Sequence, residues 1–162
     1  MFRPFLLADT RHVMALAESK SYLHNAILQA TPEQLQLMLY DGAIRFTSQG
    51  RDAVLAKDHE KSYEKLTRAQ AIVLEMQTGL RPEVNRQVCD QMSALYNFVY
   101  KKLVSGSVYK TVQDLDDALK ILQHQRETWV MLMEKIAADQ PDEGADRRIS
   151  EPIAAGSLSL EG

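Results

Sequence analysis

The sequence predicts an all-α fold: an antiparallel up-down four-helix bundle, with a short N-terminal segment before it and a disordered C-terminal tail after it. Three observations carry this reading. Only seven glycines and five prolines punctuate 162 residues, while Leu, Ala, Gln, Glu, Met and Lys, all good helix formers, are plentiful. Four stretches between Thr31 and Ala138 repeat apolar residues at steps of three and four, the spacing that lines one face of a helix. The connections between those stretches are short, which makes neighbouring helices antiparallel. Each helix comes out at about 21 to 27 residues, roughly 30 to 40 Å long at about 1.5 Å per residue. Helices of matched length joined in this way bury their apolar faces best side by side. A chain of this size buries roughly two thirds of its unfolded surface, so it requires no metal or disulfide staple.

In chain order, residues 1–21 are an N-terminal extension, a cap or short helix, residues 22–138 are the bundle, and residues 139–162 are the tail. In the extension, Phe2, Phe5, Leu6 and Leu7 are suited to lie in an apolar groove. An upstream start, a regulatory cap and a flexible leader all remain open readings of it.

The first bundle helix, over 32–55, starts at Thr31-Pro32-Glu33-Gln34. Thr31 can cap exposed amides, Pro32 suits the first turn, and Gln34 can reach back as the capping-box partner. Leu35, Met38, Leu39, Gly42, Ala43, Phe46, Gly50 and Ala53 form one buried stripe, and Leu37, Tyr40 and Ile44 a second. Such a helix either sits centrally in its own core or keeps one face for a partner.

The second helix runs from a cap at Asp58 to Thr78, with Leu66, Ala69, Val73, Met76 and Leu80 inward, and Gly79 and Pro82 stop it. The third spans 83–105, with Val84, Val88, Met92, Leu95, Val99 and Leu103 inward and Gly106 as its stop. Thr111 caps the fourth, with Asp114 at the third position. Its seam is Val112, Leu115, Leu119, Leu122, Arg126, Trp129, Met133 and Ile136. After Ala138 the sequence DQPDEGADRRISEPIAAGSLSLEG has few large apolar residues, too few to order itself.

Composition and motifs exclude most chemistry. Net charge is -3 and the sequence pI about 5.8, so no global positive field attracts nucleic acid or anionic lipid. The single cysteine, Cys89, cannot form an intramolecular disulfide, as befits a reducing cytosol, and it reads as a buried structural thiol. Apolar runs are far short of the ~20 residues a membrane span needs. Asp9, Arg11 and His12 break the N-terminal apolar stretch before it can serve as a signal peptide.

A di-iron bundle needs Glu-x-x-His pairs, and none occurs; His124 and Glu127 stand in the reverse order and supply too few ligands. The isolated glycines build no phosphate loop. Asp58, Glu60, Asp116 and Asp117 lie near helix starts, where the helix dipole favours them. Trp129 reads as core. The chain is therefore read as a binding protein, not an enzyme, with no cofactor and no metal.

The stretch from Tyr22 to Phe46, YLHNAILQATPEQLQLMLYDGAIRF, resembles the signature of the FliS family of flagellin-specific export chaperones. It carries a tyrosine, an asparagine three residues on, a small-residue-then-proline helix start, and a Leu-Tyr-Asp-Gly-Ala run. A second match, Arg126-Glu127-Thr128-Trp129, resembles the Arg-Glu-Thr-Trp ending of the family's last main helix. The likeness extends from Tyr22 to Ile136; the tyrosine lies later in the chain, and the tail is longer, than in most of the family.

The resemblance implies a cytosolic chaperone that binds the C-terminal helical segment of flagellin, prevents premature polymerisation and keeps it export-competent. It also implies docking at the flagellar export gate and, for some members, binding of an anti-sigma factor, by a monomer or weak homodimer. For flagellin contacts it points to Tyr22, Asn25, Ile27, Tyr40, Asp41, Ile44 and Arg45. The rival readings are a helical adaptor or secretion chaperone for a different client, a ferritin-like metalloenzyme, and a structural oligomer built through the helix-four seam.

Overall fold

A computed structural model describes residues 9–139, with side chains from Ser19 onward. Its helices are α1 (Asp9–Gln29), α2 (Pro32–Leu55), α3 (His59–Thr78), α4 (Arg86–Tyr109) and α5 (Val112–Asp139). The packed pairs are α2 with α3, α3 with α4, α4 with α5, and α5 with α2, an antiparallel ring around one core. α1 is not among those packed pairs. It runs through the boundary expected between residues 21 and 22, because the segment around Tyr22 continues as helix to Gln29. Phe2, Phe5, Leu6 and Leu7 lie outside the described residues, as does the expected tail apart from Asp139, which closes α5.

Local chemistry sets most boundaries as expected. At α2 the Thr31 hydroxyl accepts from the Gln34 amide at 3.2 Å, and the Thr31 amide donates to the Gln34 side chain at 3.0 Å, a full capping box. Asp58 caps α3 by accepting from the Lys61 amide at 3.0 Å.

α4 departs from expectation at both ends. It begins three residues late, because Asn85 is the cap, accepting from the Val88 amide at 3.1 Å. It also runs straight through Gly106 and stops at Lys110, in the left-handed region at φ 56°. Gly106 is a packing residue: an added Cβ would collide with Leu115 on α5. Gly50 likewise meets Leu66 on α3. These two glycines let the helix pairs approach closely at the same end of the bundle.

The core consists of Tyr40, Ala43, Val54, Leu66, Ala69, Val73, Met76, Tyr96, Val99, Leu103, Leu115, Ala118 and Leu122, with Phe46 and Trp129 packed partly buried against it. Each buried leucine contributes roughly 1.5–3 kcal/mol of transfer free energy. Among the described residues no buried side-chain nitrogen or oxygen lacks a hydrogen-bond partner. Thr47, for example, donates to the Ala43 carbonyl at 2.7 Å.

Three expectations about which residues face inward are corrected. Tyr40, on the second stripe of α2, is fully buried, whereas Leu35 and Met38 are half-buried. Ala118 takes the place given to Leu119. Val84, Val88 and Ile136 are exposed, Val84 because it precedes the Asn85 cap and Ile136 because α5, at 28 residues, overruns α2 and α4, at 24 each.

The end where α2 and α4 finish is tied by charge. Arg51 on α2 pairs with Asp116 on α5. Lys102 on α4 donates to Asp114 at 2.7 Å and to Asp117 at 2.9 Å, and Ser105 donates to Asp114 at 2.6 Å. The carboxylates expected to serve the α5 dipole thus form cross-helix pairs, and Asp114 does not act as a capping-box partner. The Lys102 ammonium holds both Asp114 and Asp117 below the ordinary carboxylate range, helped by Ser105 at Asp114 and by Gln113 at Asp117.

Candidate functional site

The opposite end of the bundle is open. There α2 and α4 begin, α3 ends and α5 overruns its neighbours, leaving a cleft of about 550 Å³. Its walls are apolar: Met76 and Leu80 from α3 and its exit, Val88 and Met92 from α4, and Trp129 and Leu132 from α5. Val84 at the rim is 80 % exposed.

Each wall has a local cause. Gly79 caps the end of α3, and the turn from there to α4 carries the exposed Val84. Asn85 restarts the helix and places Val88 and Met92 on one flank. Trp129 is held upright by its indole N–H, which donates to the Glu33 carbonyl at 3.0 Å, joining α5 to the first turn of α2.

The floor is polar but uncharged. The hydroxyls of Tyr40 and Tyr96 meet at 2.8 Å, and the Gln36 amide donates to the Tyr96 hydroxyl at 3.3 Å. Burial, with the Tyr40 hydrogen bond second, pushes the Tyr96 phenol far above its ordinary range. It stays neutral at every physiological pH.

Arg81, just past the end of α3, is the one charged residue among the lining, and no nucleophile–base pair lies there. Cys89 lines it without a histidine among the other lining residues, and it is half-buried, not fully buried as expected. Among the described residues no cluster of His, Cys, Asp or Glu could hold a metal ion, and no helix is long and apolar enough to cross a membrane. The arrangement suits apolar side chains presented by another polypeptide, and Met76 and Met92 can adapt to their shape.

The residues singled out for flagellin contacts fall into three groups. Tyr22, Asn25 and Ile27 are exposed on α1, Tyr22 at 78 %, beside the exposed Leu23 and Leu28. Tyr40 is buried under the cleft. Asp41, Ile44 and Arg45 lie outside its lining: Asp41 pairs with Arg126 on α5, Ile44 packs half-buried against the core, and Arg45 stands 5.0 Å from the Phe46 ring. Sequence reasoning missed Leu80, Val84, Val88, Met92 and Leu132 as a surface, having placed all but Leu132 in the core. The available signal was Asn85 as a cap: Val84 precedes it and Val88 falls in the first turn after it, at the end where α3 has already stopped.

The family model described as "Flagellar protein FliS" matches residues 14–136. The flagellar secretion chaperone FliS of Bacillus subtilis is 27 % identical over 124 residues, covering 76 % of this chain and 92 % of that protein. The protein of the same name from Salmonella typhimurium is 25 % identical over 114 residues, covering 70 % and 84 % respectively. A solved crystal structure of a flagellar chaperone from bacteria matches with a TM-score of 0.61 at 18 % identity, over 75 % of this chain and 98 % of that one, a likeness of fold.

Proposed function

This chain belongs to the FliS family of flagellar proteins, and from that premise we propose that it is a cytosolic secretion chaperone that binds the C-terminal helical segment of flagellin. The observation that carries the proposal is the largely apolar cleft at the open end of the bundle, adjoining the α1–α2 junction, with exposed apolar residues on α1. Flagellin termini polymerise by burying apolar stripes against other copies, so a subunit kept for export needs its stripe covered. The client orders itself on binding at a cost of about 2–5 kcal/mol, which leaves the complex reversible for hand-over. We assign the cleft walls and Tyr22, Asn25 and Ile27 to client contact. Asp41 is better explained as the α2–α5 tie to Arg126. The export gate and an anti-sigma factor are further partners in this proposal, engaged by a monomer or weak homodimer.

Calorimetry of the full chain against a peptide spanning the C-terminal segment of flagellin tests it. One-to-one binding at micromolar strength or better is expected, with a negative heat-capacity change as the mark of apolar burial. Val88→Asp should weaken it at least tenfold while altering stability by less than about 0.5 kcal/mol, since the side chain is half exposed. No binding by the parent chain would leave a helical adaptor for another client.

A further inference from the structure

We propose that the chain's own C-terminal segment, residues 149–160, docks in the open-end cleft and competes there with the client; the competition rests on the reading of the cleft given above. The cleft walls are apolar, and the rim residues Val84, Val88 and Leu132 are exposed among the described residues. α5, the helix that supplies Trp129 and Leu132, is also the one that reaches its last described residue at Asp139. At about 1.5 Å per residue, Leu132 lies only about 10 Å from that point.

From Asp139 the sequence continues with a polar spacer, QPDEGADRR, and then Ile149, Ile153, Leu158 and Leu160 set among Ala, Gly and Ser. Ten residues of such a spacer span roughly 18 Å on average, enough to bring Ile149 back to the cleft. A segment tethered this closely competes at an effective concentration on the order of millimolar, so weak contacts suffice to hold it. The N-terminal leader is placed differently: it joins α1 at Asp9, the far end of a helix about 30 Å long. Of the two apolar segments beyond the described residues, the C-terminal one is therefore joined to the bundle nearer to the cleft.

The single cysteine lines the cleft and serves as the probe. In the full chain, Ser159→Cys with an added mild oxidant such as copper phenanthroline should form a disulfide to Cys89 within one molecule, at a rate independent of protein concentration. Adding Val88→Asp should slow it about tenfold. Separately, the full-chain variant I149D/I153D/L158D/L160D should lower the melting temperature by only a few degrees, the loss of a contact held by the folded state alone, and its Cys89 should react faster with a thiol reagent. If the segment covers the cleft in about nine molecules of ten, that variant binds the flagellin peptide about tenfold more tightly.

Unchanged Cys89 reactivity with unchanged, measurable peptide binding overturns the docking and leaves the chaperone reading standing. Faster Cys89 reactivity with no peptide binding by either form supports the docking and sinks the chaperone reading. A disulfide that forms only between molecules, in proportion to concentration, overturns the docking in favour of a second copy as occupant.

Discussion

The two ends of this bundle are built from similar sequence and do opposite things. Where α2 and α4 finish, glycines let helices touch, and Arg51, Lys102 and Ser105 tie α2 and α4 to α5. Where α2 and α4 begin, large apolar side chains stand around a cleft tied by Trp129 to Glu33, the Tyr40–Tyr96 pair with Gln36, Gln77 to α4, and Asp41 to Arg126. A bundle needs one end well enough packed to carry its stability if the other is to keep apolar surface unsatisfied for a client.

The comparison breaks first if the tied end does not carry the stability. Leu103→Ala empties a fully buried site there and should cost about 2–5 kcal/mol in denaturant unfolding. Binding of the flagellin peptide by the folded fraction should stay within a few-fold of the parent. A variant that stays stable but loses binding would mean the two ends are not separable.

Next comes Gly106→Ala. The added methyl must displace Leu115, which is fully buried, and overpacking of this kind costs roughly 1–3 kcal/mol. The same change at an ordinary exposed helical glycine would stabilise the helix. A melting temperature that rises with Gly106→Ala would show that α4 and α5 can move apart there.

At the cleft floor the two tyrosines are not equivalent. Tyr96→Phe removes the partner of the buried Tyr40 hydroxyl and should cost about 1–3 kcal/mol. Tyr40→Phe leaves the Tyr96 hydroxyl with Gln36 and should cost less. The double phenylalanine variant should lie closer to the parent than Tyr96→Phe does, because it leaves no orphaned hydroxyl. A double mutant as unstable as the sum of the singles would contradict the pairing.

How much of this was legible beforehand follows the same division. Thr31, Pro32, Gln34 and Asp58 announced two helix starts, because capping is decided within a few residues. Leu66, Ala69, Val73, Met76, Val99, Leu103, Leu115 and Leu122 were read as inward and are buried, because each has a facing helix. Gly106 was misread as a stop, since a glycine that ends a helix and one that admits a neighbour look alike in sequence. Val84 and Val88 were misread as core for the converse reason: periodicity reports that a face is apolar, not whether anything covers it. Asp41 carries part of a family signature, yet its ion pair spans α2 to α5 and could not be seen from local spacing.

The smallest expected effect concerns acid. Asp114 and Asp117 titrate below their ordinary value of 3.8, chiefly through Lys102. A carboxylate depressed in the folded state stabilises fully above its unfolded pKa and loses that contribution as pH falls through the folded one. Between about pH 4 and the depressed values, the tied end should therefore loosen first. The cleft floor holds no group that titrates there. Amide protection, taken relative to the intrinsic exchange rate at each pH, should fall at the end of α4 and the start of α5 before it falls at the end of α3. Asp114→Asn should flatten that dependence, and added salt should weaken it in the parent, since the pairs are only partly shielded from solvent. Should the cleft end loosen first in acid, the division of labour between the two ends would have to be assigned the other way round.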